Sequence, residues 1–163
     1  MEHNLLAIYL NDHLAGATGG LELARRAAAA NPEGELGAFL DELAREVAED
    51  RDALRSLMSR LGVNEDHVKV VAGWTAEKLG RLKLNGHLLS YSPLSRLVEL
   101  EALALGVTGK LAMWRALERV SRADPRIAEY VDLPALIARA EKQRDGLETF
   151  RLDAAEDALV AHA

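Results

Sequence analysis

Residues 35–62 read ELGAFLDELAREVAEDRDALRSLMSRLG. Leu36, Leu40, Leu43, Val47, Leu54, Leu57 and Leu61 recur at helical spacing, so this stretch forms a long α-helix that buries one face. Gly62 supplies the backbone freedom of a helix stop. The stripe has one polar step: between Val47 and Leu54 the inward position falls on Asp50 or Arg51. An uncompensated charge there would cost several kcal/mol, so a polar cluster is expected at that level. Its expected members are groups such as His13, Lys110, Gln143 and Arg144.

Working outward, the preceding segment from about Asn4 to Ala30 carries Leu6, Leu10, Leu14, Ala17, Leu21, Ala24 and Ala28 at the same period. It ends at Asn31-Pro32, because proline disfavours helical dihedrals in the residue before it. Beside its stripe lie Ala15, Gly16, Ala17, Gly19 and Gly20. Each mid-helix glycine costs about 1 kcal/mol relative to alanine, which suggests that another backbone approaches closely there.

Downstream, a helix opens with Ser92 as N-cap and Pro93 at its first position and runs to about Val120. Leu97, Leu100, Ala104, Val107, Leu111, Trp114 and Leu117 make its face. After a break at Asp124-Pro125 and a short turn of helix to Tyr130, Asp132 caps a last helix over about 133–160. Leu136, Ala140, Leu147, Phe150 and Ala154 point inward, with Gln143 in the same stripe. Residues 63–92 form a long connection with a shorter amphipathic piece at about Glu65–Leu79. So long a link between two long helices implies a crossover that carries the chain along their length, with the second and third helices parallel. The expected fold is all-α: one four-helix bundle domain spanning 1–163.

Composition agrees with this reading. Only 4 prolines, 2 Phe and 3 Tyr occur among 163 residues rich in Leu and Ala, and no segment shows sustained period-two alternation. With no cysteine, thiolate catalysis, disulfides and Cys-ligated metals are excluded. The net charge of -6, with basic residues interleaved among acids, argues against nucleic acid as a partner. No signal peptide and no transmembrane span is expected, so no membrane partner either, and a cytoplasmic location follows. Ala/Arg/Glu-rich usage points to a bacterial source.

Two hairpins of long helices joined by a long crossover resemble the ferritin-like superfamily. That resemblance implies a di-metal centre, in which the first and third helices each give a carboxylate and the second and fourth each carry Glu-x-x-His. Carried over, it puts Asp12 or His13 on the first helix and Glu99 or Glu101 on the third. The second helix, however, reads Glu46-Val47-Ala48-Glu49-Asp50-Arg51, and the fourth reads Glu141-Lys142-Gln143-Arg144 and Glu148-Thr149-Phe150-Arg151. Neither contains histidine. An arginine holds no metal, so Glu-x-x-Arg is either a surface helical pair or the salt-bridged remnant of a lost site. The chain is therefore expected to be a ferritin-like branch without the di-metal motifs and with no cofactor. The alternative is an atypical iron or manganese centre built from Asp12, His13, Asp50, Glu101 and Glu141, with Arg144 as a remnant-site or polar-core candidate.

The histidines His3, His13, His67, His87 and His162 are too far apart in sequence for any two to clamp a metal from one helical face. A DinB-like three-histidine site would have to gather His13, His67 and His87 from distant elements. His13 itself reads as a half-buried histidine with a hydrogen-bonding neighbour, or as an acid/base group. No Gly-x-Ser-x-Gly turn exists for serine catalysis, and Gly16, Gly19 and Gly20 are not followed by the Lys-Ser or Lys-Thr of a phosphate loop. The expected role is thus binding, through self-association or a partner, and not catalysis. A homodimer is expected because Leu5, Tyr9, Gly16, Gly20, Leu23 and Ala27 on the first helix, and Leu103, Leu105 and Met113 on the third, exceed what one core uses. A small-molecule partner near Trp74 and Tyr91 is a further alternative.

Overall fold

A computed structural model describes residues 5–66 and 91–160. They form helices α1 (Leu5–Ala30), α2 (Gly34–Arg60), α3 (Pro93–Val120), α4 (Arg126–Tyr130) and α5 (Leu133–Leu159). No strand occurs among the described residues, and none of their helices is long and apolar enough to cross a membrane.

The helix ends follow local chemistry. The Ser92 hydroxyl accepts the Ser95 N–H at 3.1 Å, with Pro93 opening α3, and the Asp132 carboxylate accepts the Ala135 N–H at 3.0 Å to open α5. These caps satisfy donors that the first helical turn leaves unpaired. Gly62, at φ 71°, adopts the left-handed conformation that ends α2.

Helix α1 packs against α2 and α3, and α5 packs against α3 and, more lightly, α2. The core divides into two ends. One gathers Leu10 and Leu14 with Leu54 and Leu57, Leu111 and Leu117, and Leu133 and Leu136. The other gathers Leu21 and Ala24 with Leu40 and Leu43, Leu97 and Leu103, and Leu147 and Ala154. Residue order across the two ends fixes the directions: α2 and α3 run one way and α1 and α5 the other, so each packed pair of long helices is antiparallel. With α2 and α3 parallel, the intervening chain begins and ends at opposite ends of the bundle. Its described ends agree: Asn11 near the start of α1 holds Asn64 and Asp66, while Asn31 past the end of α1 holds Tyr91. At 1.5 Å per residue those anchors lie roughly 30 Å apart. Asn64 to Asp66 are not helical; the remainder of the amphipathic piece expected at Glu65–Leu79, with Trp74, lies outside the described residues.

The expected inner stripes are buried, with Leu6, Ala17, Leu36, Leu61, Ala104 and Phe150 only half-buried. The supply of spare apolar groups is smaller than expected, however. Leu103, Met113 and Ala27 are buried, because α3 and α1 face two neighbours each. Leu105, 61% exposed, and Leu5, 75% exposed, remain on the surface.

Candidate functional site

The polar step in the α2 stripe resolves onto Asp50, which is 2% exposed, and not onto Arg51, which turns to Asp52. Lys110 Nζ on α3 donates to Asp50 Oδ2 and to Gln143 Oε1, each at 2.5 Å. Arg139 Nη1 on α5 donates to Asp50 Oδ1 at 3.0 Å and also pairs with Glu49 at 3.1 Å. Gln143 Nε2 donates to Glu46 Oε2 at 2.8 Å. Three helices therefore close one network in the middle of the bundle, and its charges are compensated. Burial lowers the Lys110 pKa, and the Asp50 carboxylate works against that shift.

Arg139 and Glu46 were not anticipated as members. Each lies one turn before an inward polar residue, Gln143 and Asp50 respectively, so spacing of four was the available signal. His13 and Arg144, expected in the cluster, are not hydrogen-bonded to it: Arg144 pairs with Asp145 at 2.8 Å. His13 stands edge-on to Tyr9, with ring centroids 4.6 Å apart. Burial lowers the pKa of its imidazole, and Asp12 beside it opposes the shift.

The carboxylates carried over from the ferritin-like pattern do not converge. Glu101 pairs with Arg151 at 3.6 Å, and Glu141 with Arg115 at 2.6 Å. Asp12 is exposed. Among the described residues no group of three or more His, Asp or Glu side chains is placed to hold a metal ion. His67 and His87 lie outside the described residues.

Glu99 has a different fate. It is buried at the far end of α1, where Arg26 Nη2 meets its carboxylate at 2.8 Å and the Tyr91 hydroxyl donates to it at 3.0 Å. Asn31 Nδ2 donates to the same hydroxyl at 2.9 Å, and Arg96 Nε donates to Asn31 Oδ1 at 2.8 Å. Burial pushes the Tyr91 phenol up to about 12. This second network ties residue 91 to α1 and α3; Trp74, the other residue expected near a small-molecule partner, lies outside the described residues.

Between α1 and α3 lies a cavity of about 440 Å³. Leu103, Val107, Met113 and Trp114 supply its apolar wall, Asp50 and Lys110 reach it from the polar network, and His13 stands at its edge. Gly16 and Gly20 on α1 face Gly106 and Gly109 on α3 across it. A Cβ added at any of these four glycines would meet no atom of the described residues within 4 Å. Within the described chain no backbone approaches Gly16 or Gly20, and the absent side chains leave open space there. Glycines that do admit a neighbour lie elsewhere. A Cβ on Gly37 would come 2.5 Å from Asn31 O, and one on Gly146 2.5 Å from the Phe39 ring.

Trp114, fully buried behind the cavity wall, has an indole Nε1 with no hydrogen-bond partner among the described residues. A buried donor left unpaired costs about 1–3 kcal/mol. The wall therefore combines apolar surface with an ion pair.

No protein-family model, curated protein or solved structure matches this chain.

Proposed function

We propose that the protein is a binding protein of ferritin-like topology that holds a small, mostly apolar molecule between α1 and α3. The observation that carries this reading is the cavity itself. At about 440 Å³ it falls in the size range of small-molecule sites, roughly 300–1,000 Å³, and it shares their pattern of apolar walls with few polar groups. Its four glycines make the same point energetically. Each lowers helix stability by about 1 kcal/mol relative to alanine, and no described atom fills the space they leave. A bound molecule would fill that space.

The absence of Glu-x-x-His on α2 and α5 supports a bundle that works without a di-metal centre. So does Lys110, whose ammonium provides Asp50 with a counter-charge from the chain itself.

The test is fluorescence titration with 1-anilinonaphthalene-8-sulfonate, an anionic probe that reports apolar sites, alongside light scattering. The native chain is expected to bind the probe stoichiometrically, and Gly106→Leu, which fills the cavity from a position free of contacts, to abolish binding while remaining folded. No binding by the native chain, or full binding by the variant, refutes the reading. So does a mass of twice 17.8 kDa that falls to the monomer value in Gly106→Leu, since a second copy would then occupy the groove.

A further inference from the structure

Five lysines occur in the chain. Of the two among the described residues, Lys142 is exposed, whereas Lys110 is on the cavity wall with only 13% of its side chain accessible. A long helical side chain leans back over the preceding turn, and the residue one turn before Lys110 on the same face is Gly106. Gly106 has no side chain, and a Cβ built there, or at Gly16 or Gly20 on the other wall, would meet no described atom within 4 Å. Asp50 Oδ2 stands 2.5 Å from Nζ and itself lines the cavity.

We propose that Lys110 and Asp50 form a reactive pair that captures an aldehyde or ketone group of the bound molecule as an imine. This rests on the cavity reading and adds the chemical class of the ligand.

The chemistry balances within the pair. The Lys110 ammonium gives one proton to the Asp50 carboxylate, and the freed lone pair forms a C–N bond to the carbonyl carbon as the C=O π electrons move to oxygen. That oxygen takes the nitrogen's second proton to become hydroxyl. Asp50 then returns its proton to the hydroxyl, the C–O bond breaks, and water leaves. The net change is ammonium plus carbonyl to protonated imine plus water. Asp50 begins and ends as a carboxylate, and the positive charge stays on the same nitrogen, so the buried ion pair survives the reaction. This matters energetically, because an uncompensated buried charge is strongly destabilising. The desolvation that lowers the Lys110 pKa also raises its share of free amine, the nucleophilic form. Arg139 and Gln143, on the far side of Asp50 and Lys110, hold both groups in register.

The experiment treats the full chain with benzaldehyde and cyanoborohydride at neutral pH, then maps alkylation over Lys69, Lys78, Lys83, Lys110 and Lys142 by peptide mass. Lys110 is expected to react at least about tenfold faster than exposed Lys142, as a desolvated amine beside a proton acceptor should. Gly106→Leu is expected to remove that preference, and Asp50→Asn to reduce it. Lys110→Arg, which keeps the charge beside Asp50, should stay folded and lose the label at that peptide. If Lys110 reacts no faster than Lys142 while the native chain still binds anilinonaphthalene sulfonate, imine capture is wrong and the cavity reading stands. If the sulfonate probe also fails to bind, both fall. Preferential labelling that persists in Gly106→Leu refutes access through the cavity.

Discussion

Replacing Gly106 and Gly109 together with alanine should stabilise the protein. Both lie inside α3, neither Cβ would meet an atom of the described residues within 4 Å, and neither has positive φ. The gain is then the intrinsic helix term, about 0.8–1 kcal/mol per site, because alanine restricts the unfolded chain more than glycine does. Two sites give about 1.5–2 kcal/mol. For a chain of this size that corresponds to a rise of roughly 4–6 °C in the unfolding midpoint. Gly16→Ala and Gly20→Ala on the facing wall should behave alike. Gly37→Ala is the internal contrast: its Cβ would sit 2.5 Å from Asn31 O and 2.9 Å from Pro32 C, both backbone atoms that cannot swing aside. A loss of about 1–3 kcal/mol is expected there, as for other overpacked sites. Gly146→Ala should cost less than Gly37→Ala, since the Phe39 ring it meets can turn. Urea unfolding monitored by circular dichroism measures the whole series. Destabilisation of the four groove variants to the degree of Gly37→Ala would refute the reasoning, for it would mean that the groove is filled by backbone in solution.

Asp50→Ala should lower stability by about 3–5 kcal/mol, because Lys110 and Arg139 lose the carboxylate between them. Adding Lys110→Met should restore much of that loss in the same unfolding assay, since an apolar pair replaces an orphaned charge. His13 has a pKa below its ordinary 6.5 in the fold because burial disfavours its charged form. Below pH 6.5 the unfolded chain therefore binds more protons than the folded one, and stability should fall as pH drops from that value to the folded-state pKa. His13→Gln should flatten this part of a stability-versus-pH curve measured by urea unfolding. Tyr91 gives the opposite sign at high pH: its phenol stays protonated to about 12 in the fold against an ordinary 10.0, so stability should fall as pH rises through that window. Phenolate absorbance should show Tyr91→Phe removing the last tyrosine to ionise, and a loss of amplitude near pH 10 instead would place Tyr91 in solvent.

The α2 stripe shows why so much of the architecture was legible. A period of 3.6 in Leu36, Leu40, Leu43, Val47, Leu54 and Leu57 is imposed by backbone geometry alone, and proline, glycine and capping residues mark the ends with local hydrogen bonds. Even the demand for a polar cluster followed locally, because an acid at an inward position must be compensated wherever the helix is placed. Its membership did not. Whether Asp50 meets Lys110 and Arg139, or His13 and Arg144, depends on the rotation and axial offset of three separate helices, to which each helix's own period is blind.

The glycines make the distinction sharper. That Gly16, Gly20, Gly106 and Gly109 remove side chains from one face of their helices follows from residue identity alone. Whether the missing side chains admit another backbone or open a chamber is a question about what stands opposite, and two opposed bare walls give a chamber where one bare wall against a flat neighbour gives close packing. Glu99 and Glu101 divide in the same way. Two residues apart on one helix they look equivalent in sequence, yet Arg26 and Tyr91 bury the first and Arg151 meets the second near the surface. Helical rotation alone separates them by about 200°, and only the placement of α1 and α5 around α3 decides which of the two faces is the interior.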